Sequence, residues 1–117
     1  MSEPEDRDAA LRAKLEALRQ AFVAKLPGML DALESAIAAY RDAGDAAGQG
    51  DALKRVNAQA HKIAGTAGTY GLSDIAAPLR EMEKAVLRDP APGAEALAEE
   101  LERVRGLVRD HRSSGGD

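Results

Sequence analysis

Apolar residues recur at spacings of three and four along almost the whole chain, with polar residues between them. This period gives a helix one apolar stripe and one solvated face. Residues 8–26 carry Leu11, Leu15, Leu18, Phe22 and Leu26. Pro27 and Gly28 follow, and a proline removes a helical hydrogen bond, so a break or kink is expected there. Residues 29–43 resume the pattern with Met29, Leu30, Leu33, Ile37 and Tyr40. The glycines of "AGDAAGQGD", residues 43–51, predict a loop.

A third long segment, about 51–70, places Leu53, Val56, Ala60, Ile63 and Ala67 on its buried face. Gly71 suits the position just past a helix end, where the backbone turns left-handed. Ser73 is then the expected cap of the next helix, with Asp74 in its first turn. That helix, about 74–88, carries Ile75, Leu79, Met82 and Val86 before the stop signal "DPAPG" at 89–93. A last helix, about 94–110, carries Leu97, Leu101, Val104 and Val108. No stretch reads as a strand. Short connections set neighbouring helices antiparallel. The predicted architecture is all-α: an antiparallel up-down four-helix bundle over residues 8–111, with an additional N-terminal helical segment. Residues 1–7 read as a disordered N-terminus and 112–117 as a flexible polar tail.

Composition narrows the classes. The chain has 117 residues, enough for one domain, and no cysteine, which excludes disulfides, thiolate metal sites and cysteine nucleophiles. Sixteen basic residues stand against 20 acidic ones, scattered rather than blocked, which argues against nucleic-acid and anionic-membrane partners. The acidic N-terminus "MSEPEDRDAA" has no signal-peptide pattern, and no apolar run approaches the length of a membrane span.

The candidate chemistry lies in "AHKIAGTAGTYGL", residues 60–72. A glycine inside a helix costs roughly 1 kcal/mol relative to alanine. Yet Gly65 and Gly68 sit near His61, one of two histidines in the chain. At about 100° per residue His61 falls roughly 140° from the centre of the apolar arc, so it is expected to face solvent. Residues three, four and seven positions away share its surface. The predicted face is Lys54, Asn57, Ala58, Lys62, Ala64, Gly65 and Gly68, mostly very small side chains around one imidazole. A neutral imidazole is a nucleophile, and one without steric screening can meet a phosphoryl group held by another protein. No carboxylate partner stands near it on the same helix, which suits a group carrier better than a hydrolase. Gly68 has a second reading, as a residue that relaxes packing near the helix end.

Other features read as ordinary surface or core. His111 lies in the tail and carries no functional expectation beyond favourable charge at a helix C-terminus. The two histidines lack metal-ligand spacing. "GTAGTYG" lacks the Gly-Lys-Ser/Thr ending and the preceding strand of a phosphate-binding loop. Glu34, Glu81 and Glu83 are simpler as solvated carboxylates than as an acid–base set. Thr66 either bonds back to the carbonyl of residue 62 or contacts a partner.

The 60–72 stretch resembles the signature of histidine-containing phosphotransfer domains of two-component phosphorelays. His61, Gly65, Thr66 and the pair Gly71-Leu72 match the pattern, and Glu83 in "LREMEKA" matches the glutamate of the family's next helix. Many members carry lysine three residues after the histidine, where this chain has Ala64. The resemblance covers roughly residues 20–110. It implies a four-helix bundle whose His61 accepts a phosphoryl group from a receiver-domain aspartyl phosphate and returns it to another receiver. It further implies no kinase activity of its own and no intrinsic cofactor, with magnesium on the partner receiver. Its implied partners are response-regulator receiver domains and a histidine or hybrid kinase. A cytoplasmic, monomeric protein is expected. The alternative is a non-catalytic helical adaptor that docks a signalling partner without phosphoryl transfer, and a weaker one is a bundle that dimerises through its small-residue face.

Overall fold

The computed structural model describes residues 3–115, with side chains from 6 to 113. Four helices follow one another: α1 (Glu3–Asp42), α2 (Ala46–Thr69), α3 (Ser73–Ala85) and α4 (Ala94–Gly115). Each packs against two neighbours, α1 with α2 and α4, and α3 with α2 and α4, while α2 and α4 stand on the diagonal. The core is built almost wholly from aliphatic side chains. Leu26, Leu30, Leu33, Val56, Ile63, Leu79 and Val104 are at most 1% exposed, and no described polar side chain is buried. Phe22 adds an aromatic contact, stacking on Tyr70 with ring centroids 5.3 Å apart.

Several boundaries differ from the sequence reading. The expected break at Pro27 is absent, and α1 runs through it as one helix of 40 residues. Leu26 and Leu30 on either side are both fully buried on the same face. Their packing outweighs the roughly 3 kcal/mol that an interior proline costs. The N-terminal segment is therefore an extension of α1 rather than a separate element. Helix is also present from Glu3 and as far as Gly115, where a disordered start and a flexible tail were expected; residues 1–2 and 116–117 lie outside the described residues. Leu11, Leu15 and Leu18 are 46–56% exposed, so the apolar stripe of this extension is left uncovered by the bundle.

The loop expected at 43–51 is shorter than its glycines suggest. Asp45 caps α2, its carboxylate accepting from the Gly48 amide at 2.7 Å, so Gly48 and Gly50 fall inside the helix. At the other end of α2, Gly71 has φ +74° as expected. The Leu72 amide donates to the Ala67 carbonyl at 2.9 Å and the Gly71 amide to Gly68 at 3.1 Å. This pair of bonds closes α2 with a left-handed glycine at its exit. Gly71→Ala is expected to destabilise the fold by about 1–2 kcal/mol, measured by denaturant unfolding, because a Cβ strains that backbone region.

Ser73 does not cap α3. Leu72 holds that position, makes no side-chain cap bond and is itself buried in the core. Asp74 has a larger role than the first-turn charge expected of it. Its carboxylate lies 2.9 Å from His111 Nε2, joining the start of α3 to the far end of α4. His111 is therefore a tertiary contact within a helix rather than a residue of the tail.

Candidate functional site

His61 projects from the middle of α2, with its side chain 73% exposed. The buried face of α2 comprises Ala52, Val56, Ala60, Ile63, Ala64 and Ala67. Leu53 is only half-buried at the margin of this arc, with Ala52 inside it instead. The remaining positions of the expected site divide cleanly. Lys54, Ala58, Lys62, Gly65 and Gly68 are exposed, as the helical period requires. Ala64 is not part of that surface: it is 1% exposed and lies in the core. The reason is that α2 packs against two helices, α1 and α3, so its buried arc widens to include position 64.

Asn57 is half-buried, and its amide Nδ2 donates to the Glu83 carbonyl at 2.9 Å. Glu83 is the functional neighbour that the sequence reading had not brought to the histidine. Its Oε1 lies 2.5 Å from His61 Nδ1, across the α2–α3 interface. The Glu83 side chain is 25% exposed, so this contact is partly shielded from water. An ionised carboxylate only accepts hydrogen bonds, so Nδ1 carries the proton and donates it. That tautomer leaves the lone pair of a neutral ring on Nε2. Asn57 and Glu83 together pin α3 in register with the histidine.

The other two carboxylates considered with Glu83 are elsewhere. Glu34 pairs with Arg105 at 2.7 Å, and Glu81 lies 4.0 Å from Lys84. Neither belongs to an acid–base set with Glu83. Thr66 bonds back to the Lys62 carbonyl at 3.2 Å, the local reading of its hydroxyl.

The two glycines of the face differ. A Cβ at Gly65 would meet nothing within 4 Å, so the surface there is open. A Cβ at Gly68 would lie 2.6 Å from Arg80 Nη2, because the Arg80 side chain reaches from α3 across that glycine. Gly68 thus makes room for a guanidinium, a packing role close to its second reading. Arg80 was not among the expected site residues, since it stands on another helix and nothing in its spacing links it to His61.

Among the described residues no group of three or more His, Cys, Asp or Glu side chains could hold a metal ion. Among the described residues no helix is long and apolar enough to cross a membrane. The site is a single exposed imidazole, oriented through one nitrogen and open at the other.

This exposed imidazole stands on an all-helical bundle. The family model for the Hpt domain matches residues 17–107, and the chain belongs to that family. Hpt domains act in phosphotransfer within two-component relays, where they carry phosphoryl groups without kinase activity of their own, and they work with response-regulator receiver domains and kinases. Comparison with curated proteins and with solved structures gave no match.

Proposed function

We propose that this chain is a phosphorelay intermediate that receives a phosphoryl group on His61 Nε2 from the aspartyl phosphate of one receiver domain and passes it to another. The observation that carries this reading is the pairing of an exposed ring with a carboxylate on its inner nitrogen: Nδ1 faces Glu83 at 2.5 Å while the side chain is 73% exposed. The Nε2 lone pair attacks phosphorus, and the bond from phosphorus to the aspartate oxygen breaks with its electrons on the leaving carboxylate. The Nδ1 proton stays between the ring and Glu83, whose charge balances the cationic phosphorylated ring. The same steps in reverse deliver the group to the next receiver. Glu83 is a positioning residue here, since it fixes the tautomer and ring orientation without touching phosphorus.

The magnesium and the remaining catalytic groups belong to the receiver, and the chain contributes nucleophile and docking face. Lys54, Asn57, Ala58, Lys62, Gly65 and Gly68 form that face around His61. The protein works in the cytoplasm as a monomer, loaded by a receiver that a histidine or hybrid kinase has phosphorylated, without nucleic-acid or membrane partners.

The test is a transfer reaction from a receiver domain charged with acetyl phosphate. Label is expected on this chain in a form stable to alkali and labile to acid, with the phosphorus bonded to Nε2 by nitrogen-15 and phosphorus-31 NMR. Label on Nδ1, or none at all while the receiver turns over, would overturn the mechanism.

A further inference from the structure

Position 64, three residues after the histidine, is an alanine buried in the core and so provides no charge beside His61. The phosphoryl oxygens of a phosphorylated imidazole add negative charge to this surface, and a cation within reach would stabilise it. The nearest cations on α2 are poorly placed. Lys62 points roughly 100° around the helix from His61, and Lys54 stands about two turns away.

Arg80 is different on three counts. It lies three residues before Glu83 on α3, so the two side chains are neighbours on one helix face. Because Glu83 touches His61, the Arg80 backbone stands only about one turn, roughly 5 Å, along α3 from the residue that contacts the ring. Its guanidinium makes no hydrogen bond or ion pair with any described residue and rests over Gly68. Between that resting place and His61 lies Gly65, above which there is open space.

We infer that Arg80 is the phosphoryl-holding residue of this chain: its guanidinium leaves Gly68, crosses the open surface over Gly65 and pairs with the phosphoryl oxygens on His61 Nε2. This inference rests on the phosphoacceptor reading of His61. The planar guanidinium suits two phosphoryl oxygens at once, which an ammonium does not. Gly65 and Gly68 then have distinct parts, Gly68 as the berth of the resting arginine and Gly65 as its path. No bond to phosphorus is made or broken by this movement.

The experiment uses the full chain, phosphorylated with potassium phosphoramidate in the absence of any receiver. Ammonia leaves as Nε2 takes the phosphoryl group. The Arg80 Nε–H resonance, assigned by its loss in Arg80→Gln, is expected to shift on phosphorylation and not to shift in His61→Gln. Separately, label is equilibrated between this chain and a receiver charged with acetyl phosphate. Arg80→Gln should lower the equilibrium ratio of phosphorylated chain to phosphorylated receiver about three- to tenfold, and Arg80→Lys should recover part of the loss. The position of that equilibrium between free proteins is independent of how well they dock, so it separates phosphoryl holding from receiver contact. Arg80 is exposed and unpaired, so circular dichroism should show both variants folded. Phosphohistidine that forms with an unmoved Arg80 resonance and an unchanged equilibrium would overturn the inference and leave the phosphoacceptor reading standing. Slower transfer with an unchanged equilibrium would also overturn it, making Arg80 a docking residue. Failure of wild type to form phosphohistidine with either donor would remove both.

Discussion

His61→Gln is expected to abolish labelling from a phosphorylated receiver while leaving the bundle folded. Glutamine is polar and of similar reach, but its amide nitrogen has no lone pair available to attack phosphorus. The imidazole is 73% exposed and its one described partner is Glu83 at the interface rim, so stability should move by about 0.5 kcal/mol or less. Label transfer and thermal unfolding of the same preparation give both readouts. Residual transfer above the blank would sink the assignment of the nucleophile. Full biological activity of His61→Ala would instead support the adaptor alternative.

Gly65→Gln is expected to move stability and function in opposite directions. Nothing stands within 4 Å of a Cβ at this position, and the residue is helical with an ordinary φ. Replacing glycine there by a good helix former should stabilise the fold by roughly 0.5–1 kcal/mol in denaturant unfolding. The new side chain stands one turn from His61, on the face proposed for receiver docking. Misplacing the reacting groups by about 1 Å costs on the order of a hundredfold, so transfer should fall by about tenfold or more. A stabilised variant that transfers at the wild-type rate would refute the open-surface argument directly. A destabilised one would show that Gly65 serves packing after all.

Much of the fold was legible because helical periodicity is local. Leu26, Leu30, Leu33 and Ile37 mark the buried side of α1, and Ile75, Leu79 and Met82 that of α3, at the spacings the sequence displays. The left-handed exit at Gly71 was equally readable, since one backbone position demanded glycine. Boundaries were less so. Pro27, Gly48 and Gly50 oppose helix locally, and each is overruled by a cap or by buried neighbours that the local composition does not reveal.

The site divides along the same line. His61 outward, with exposed Gly65 and Gly68 around it, follows from angular position on one helix and needs no partner element. Ala64 was misplaced because the width of a buried arc depends on how many helices pack against it, here two.

By itself, then, the sequence determined that the chain is built of amphipathic helices, which apolar residues lead the inward face of each, and that one imidazole stands outside. Those properties depend on contacts within a few positions along the chain. Only the tertiary structure decided that Glu83 holds Nδ1, that Asp74 meets His111 and that Arg80 lies over Gly68. The rotation and register of one helix against another govern these pairings. They are settled by the packing of the whole apolar core, and no single segment encodes them.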